Sequence, residues 1–140
     1  MNRLIDTNTR NDSPGMFIHL SQGYTHYDIA GSKNGPAVLF IHGFSVPYYM
    51  WDHNFNVLAQ AGFQTIRYDL YGRGLSDRPK TIYDQELFTT QLRELLDVLS
   101  VKEPIHIIAT SMGGVIAAAF TAIYPDQVHK IALIDPLAEK

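Results

Sequence analysis

One serine stands where an apolar strand must turn into an apolar helix. In Ile107-Ile108-Ala109-Thr110-Ser111-Met112-Gly113-Gly114, the residues two positions either side of Ser111 are Ala109 and Gly113. A strand-to-helix turn this short brings two backbones close together, which demands small neighbours. It also forces its apex residue into a strained conformation. The hydroxyl of Ser111 would then project at the sheet edge, just ahead of a helix N-terminus. Free N–H groups and the helix dipole favour negative charge there. The N–H of Met112 could help hold an oxyanion forming on a substrate carbonyl that Ser111 attacks. The alternative is plain capping, because serine is also a favoured N-cap residue.

Other residues that could take part lie at the ends of neighbouring strands. His42-Gly43 ends one and Asp69 ends the next, while Asp135 closes the last strand before Pro136. Asp69 and Ser76 suit hydrogen bonds that order the loop between them. Asp135 reads as a turn aspartate before Pro136. His42 is the histidine nearest the serine in this arrangement, as a base or as a structural group. His106 reads as a core histidine, His129 as lying away from the active edge, and His19, His26 and His53 as solvent-facing. No spacing among them suits a metal ion. Arg73 and Arg78 read as solvated loop charges. Gly72-Arg73-Gly74 does not match a dinucleotide fingerprint, and no phosphate-binding lysine loop occurs.

The elements needed to position these residues can be read from the pattern. Met16–Leu20 and Tyr24–Ile29 read as strands joined by a turn at Ser21-Gln22-Gly23. Ala37–Ile41 is a continuous apolar run, as suits a strand covered on both faces. Asp52–Ala61 reads as a helix with Asp52 as N-cap and Gly62 as stop. Gln64–Tyr68 is the next strand. A helix runs from a cap at Asp84 to about Leu99, with Phe88, Leu92, Leu95, Leu96 and Leu99 on one face. Pro104–Ala109 is a strand, Met112–Tyr124 a helix stopped by Pro125, and Val128–Ile134 a strand. This alternation predicts an α/β fold with a mostly parallel sheet covered by helices on both faces. Ligands bind beyond the carboxyl ends of such strands, where Ser111, His42 and Asp69 fall. Residues 1–14 are expected to form a flexible arm, and residues 15–140 one domain portion.

In their order and spacing these segments resemble the α/β-hydrolase fold of serine esterases and lipases, over roughly residues 24–137. The strand running into His42-Gly43-Phe44 is similar to that family's oxyanion loop, and Trp51 follows it. Arg67-Tyr68-Asp69-Leu70-Tyr71-Gly72-Arg73-Gly74-Leu75-Ser76 is similar to its D-x-x-G-x-G-x-S segment. Ala109 to Gly114 is similar to its nucleophile elbow, with alanine where most members have glycine. The resemblance implies that Ser111 is the nucleophile and that the backbone N–H groups of Phe44 and Met112 form the oxyanion hole. His42, Gly43, Gly113 and Asp69 would support them, and Asp135 stands at the strand end where a minority of the superfamily places its triad acid. A serine nucleophile sets the chain apart from epoxide hydrolases and haloalkane dehalogenases, which use aspartate. Two oxyanion donors matter because losing one typically costs roughly 3–4 kcal/mol of transition-state stabilisation.

The family's later parts have no counterpart here. Its final strands, its cap and its triad histidine all belong beyond residue 140, so the chain is expected to be a truncated hydrolase. Full length, it is expected to cleave a small-molecule ester without any cofactor; the 140 residues alone would be inactive. The other readings are a non-catalytic fragment or binding module, or another serine-elbow activity: C–C bond hydrolase, amidase or cofactor-free haloperoxidase. An uncovered last strand would favour self-association or a complementing C-terminal segment. Composition restricts the wider choice. A net charge of −3 gives no reason to expect nucleic acid, and the chain has no cysteine. No apolar run approaches the ~20 residues of a membrane span. A cytoplasmic location is expected, with secretion open.

Overall fold

The computed structural model describes residues 5–137. Its centre is strand β3 (Ala37–Ile41), every residue of which is buried. Leu39 and Ile41 point into one apolar layer, Val38 and Phe40 into the other, where they meet Trp51 and Phe55. Five apolar residues in a row thus serve two cores at once, as a strand covered on both faces requires.

Around it lie β1 (Met16–Leu20), β2 (Gly23–Gly31), β4 (Gln64–Tyr68), β5 (Ile105–Ser111) and β6 (Val128–Pro136). They form a six-stranded sheet among the described residues, in the order β1-β2-β4-β3-β5-β6. The first three strands of that order pair antiparallel, and β4, β3, β5 and β6 run parallel. Helices α3 (Gln85–Val98) and α4 (Met112–Ile123) pack on the larger core; α2 (Asp52–Gln60) lies over the smaller one. The Asp84 side chain caps α3 by accepting from Leu87 N at 2.9 Å, and Phe88, Leu92, Leu95 and Leu96 are buried beneath it. No helix among the described residues is long and apolar enough to cross a membrane.

Two local expectations are corrected. Asp52 is not the cap of α2: Trp51 holds that position without a side-chain cap. The Asp52 carboxylate is drawn instead to Arg67, a buried cation that also reaches Asp28 and lies over the rings of Tyr48 and Phe55. A carboxylate facing a guanidinium gains more than one facing a peptide N–H. The expected flexible arm 1–14 is, over its described part, tied to the domain. A short helix α1 (Thr7–Asn11) is capped by Asp6, and Arg10 pairs with Asp77 at 2.7 Å while covering the Tyr24 ring. Residues 1–4 of that arm lie outside the described residues.

Candidate active site

Ser111 is the last residue of β5 and immediately precedes α4. Its backbone sits at φ 50°, ψ −124°, a conformation that L-residues rarely adopt and that surrounding structure must enforce. The enforcing contacts are close. A Cβ on Gly113 would lie 2.5 Å from the His42 carbonyl oxygen and 2.7 Å from that of Ile41, so only glycine fits between α4 and β3. The serine side chain does not cap the helix. That leaves the hydroxyl free of the structural duty that would otherwise account for a serine there.

The neighbouring wall is Gly43. A Cβ built there would stand 3.2 Å from Ser111 Cβ and 3.7 Å from Ser111 Oγ, so the His42-Gly43-Phe44 loop passes directly beside the hydroxyl. The next residue, Phe44, is exposed, and its N–H donates to no acceptor among the described residues. Met112 is the first residue of α4, and the first N–H groups of a helix have no intrahelical partner. Two unengaged amides thus flank the Ser111–Gly43 contact.

His42 holds this loop and is fully buried. Its Nε2 accepts the Leu70 N–H at 2.9 Å, which forces the ring proton onto Nδ1; Nδ1 then donates to the Gly43 carbonyl at 2.6 Å. The Gly43–Phe44 peptide is trans. Its N–H therefore points opposite to the carbonyl that His42 holds, and the imidazole sets the direction of Phe44 N–H. Burial pushes the His42 pKa below its ordinary value, and the charge of Arg73 acts in the same direction. Both ring nitrogens of His42 are thus engaged by the backbone of this loop and of the one after β4.

Asp69 organises the loop that follows β4. Its Oδ1 accepts from Tyr48 N at 2.8 Å, and its Oδ2 from Leu75 N at 2.9 Å. Ser76 Oγ donates to the Asp69 carbonyl at 2.6 Å and accepts from His26 N. Gly74, at φ 53°, leaves room for the carboxylate: a Cβ there would sit 2.1 Å from Oδ2. Asp69 also meets His26 Nδ1 at 2.8 Å, both side chains being almost wholly buried. His26 was expected to face solvent and does not. Its strand pairs with β4, and its Nε2 lies 2.6 Å from the Pro14 carbonyl.

His106, expected in the core, is half-exposed and lies against His129, the two rings 5.0 Å apart. Burial, His129 and Lys130 all lower its pKa. Five residues of extended strand, about 16 Å, separate it from Ser111, so this pair is not at the serine. His19 and His53 are exposed. Asp135 is the penultimate residue of β6, exposed and at φ 43°, its neighbour Pro136 in register with Ser111. Arg73, expected in solvent, lies over the Phe44 ring. Gln91, not singled out from sequence, joins α3 to this loop by accepting from Tyr71 N and donating to Thr25 and to the Asp69 carbonyl. A polar residue between Phe88 and Leu92 on a buried face was its signal. No group of three or more metal-ligating side chains occurs among the described residues.

A strained serine elbow, a glycine-walled loop and a parallel sheet define a known class. The model of the alpha/beta hydrolase fold family matches residues 36–140, and the chain belongs to that family. It is 35% identical over 122 residues to an uncharacterized protein of Mycobacterium tuberculosis, covering 86% of this chain and 35% of that one. It is 31% identical over 117 residues to epoxide hydrolase 1 of Caenorhabditis elegans, covering 82% and 28%. A structure from work on carboxylesterases of the thaumarchaeon Nitrososphaera gargenis superimposes with a TM-score of 0.83 at 28% identity, covering 89% of this chain and 47% of that one. The chain thus spans about a third of the length of the curated relatives it matches.

Proposed function

We propose that Ser111 is the nucleophile of a serine hydrolase acting on carboxylic esters. The carrying observation is its hydroxyl at a strained elbow, uncapped, with the Gly43 loop against it. In the first step Ser111 Oγ bonds to the ester carbonyl carbon, and its proton passes to a base. The carbonyl electrons move onto oxygen, where the N–H groups of Phe44 and Met112 hold the charge. Collapse expels the alcohol, which takes the proton back, and leaves an acyl-serine. Water then adds to that carbonyl, and the acid departs. No cofactor enters these steps.

The base in this proposal is a histidine beyond these 140 residues, as the family's serine–acid–histidine order implies; His42 has both ring nitrogens engaged. Asp135 is the candidate acid, standing one residue before Pro136, which pairs with Ser111. Serine, in place of the aspartate of epoxide hydrolases, favours acyl transfer over epoxide opening. C–C bond, amide and haloperoxidase chemistry use the same elbow and are the competing activities. A longer form carrying the histidine is expected to hydrolyse p-nitrophenyl butyrate. Ser111→Ala should lower its kcat/KM by about 10³-fold or more. Unchanged turnover in that variant would refute the assignment.

A second reading rests on β6. Ile131, Leu133 and Ile134 are exposed on this edge strand, and Leu137 is exposed just beyond it. We propose that the 140-residue chain, alone and without its base, is inactive and self-associates through this edge.

A further inference from the structure

Arg73 is a half-buried cation without a counter-ion. Among the described residues, Arg10, Arg67 and Arg93 each pair with an aspartate; Arg73 pairs with no carboxylate. Its guanidinium carbon lies 4.7 Å from the centroid of the Phe44 ring and 5.8 Å from that of Phe88. Nε donates to the Phe44 carbonyl at 3.4 Å, and Nη1 to the Tyr71 carbonyl at 3.3 Å. Nη2 has no acceptor among the described residues. Desolvation pushes the Arg73 pKa down, and the Tyr83 phenol opposes it only in part. A partly desolvated charge without a carboxylate partner carries a cost, and natural folds retain such costs chiefly at sites of use. The place is telling: Phe44 follows Gly43, which touches Ser111.

We infer that Arg73 is a specificity-determining residue that binds a carboxylate on the substrate, so that the site takes esters carrying a second, anionic group, such as hemiesters of dicarboxylic acids. The ester part of this inference rests on the proposed role of Ser111; the carboxylate part does not. A guanidinium already anchored through Nε and Nη1 has lost most of its rotamer freedom before a ligand arrives. Its remaining N–H groups form a fixed donor pattern suited to a planar carboxylate. The Phe44 and Phe88 rings lie against the guanidinium and lower the local dielectric, which strengthens that pairing relative to one in bulk water. The same anchor fixes the Phe44 carbonyl, so ligand capture is reported at the loop beside the serine.

The test is a titration of the full chain, labelled with ¹⁵N, with the monomethyl esters of succinate, glutarate and adipate, each against its dimethyl ester. The expected result is saturable shifts of the Phe44 amide and the Arg73 Nε–H with at least one monoester. The matching diester should bind about tenfold more weakly or worse, as loss of a charge-assisted bond implies. Added salt should weaken the monoester. Arg73→Gln should abolish the preference, and Arg73→Lys should retain part of it. Equal binding of monoester and diester, or no shift at Arg73 with any monoester, would overturn the inference. These comparisons use the native chain and stand even if a variant fails to fold. Ser111→Ala should leave the titration intact. A carboxylate preference together with an unreactive Ser111 would thus remove the hydrolase reading and keep the anion site; a reactive Ser111 without the preference would do the reverse.

Discussion

Ser111 and His42 divide the work of the site between a side chain that is free and one that is fully committed. Ser111 was legible because its neighbours are constrained: Gly113 fits nowhere but against the Ile41 and His42 carbonyls. Gly113→Ala is therefore expected to destabilise the fold by about 2 kcal/mol or more, since backbone cannot yield as a side chain does; urea unfolding reads this, and a neutral result would contradict the packing described. His42 gives a pH prediction. Its folded pKa lies below the ordinary value, so the unfolded chain takes up a proton that the folded chain refuses. Its contribution is complete above the unfolded value of about 6.5 and is lost as pH falls from there toward the lowered folded value. His106 adds a slope of the same sign. In His42→Asn, an amide can still donate to the Gly43 carbonyl, but Leu70 N–H loses its acceptor at a cost of about 1–3 kcal/mol. The variant should show a flatter fall in stability between pH 7 and the acidic side, and an unchanged slope would contradict the neutral ring. Arg73 was misread because its surroundings come from Phe44 and Phe88, far away in sequence and invisible to a local pattern.

The strands and helices were legible where one rule decided each of them. Apolar β3, capped α3 and the apolar α4 between Gly113 and Pro125 all obey local periodicity or capping, and they stand as expected apart from small shifts of their ends. Elements decided by distant partners were harder. Pairing β2 with β4 buries His26 against Asp69, and Asp77 holds α1 through Arg10, which no local signal announces. The Asp69 carboxylate joins three of these parts: the Tyr48 and Leu75 amides and the His26 ring. Asp69→Asn should therefore cost about 1–3 kcal/mol, as expected when a buried donor loses its acceptor. It should also accelerate hydrogen exchange at Tyr48 and Leu75 together. Loss at one amide alone would mean that the two loops are held independently.

Across the molecule, β1 and β6 are the two edges of the sheet among the described residues. Helices cover the centre of both faces, but β6 leaves Ile131, Leu133 and Ile134 exposed, and α4 leaves Val115 and Ile123 exposed. The alternation of strands and helices foretold the layered α/β fold; the order in which the strands lie side by side came only with the structure. If β6 is the edge through which copies associate, sedimentation of the 140-residue chain should show concentration-dependent oligomers. Ile131→Lys with Leu133→Lys should shift them toward monomer. A chain that stays monomeric at all accessible concentrations would contradict that proposal.

The role of Ser111 is tested most directly by a fluorophosphonate probe applied to a longer form that carries the family's remaining strands and histidine. The account predicts one covalent adduct, mapped by mass spectrometry to Ser111 and absent from Ser111→Ala. Labelling that persists in the alanine variant, or an adduct mapped to another residue, would contradict it.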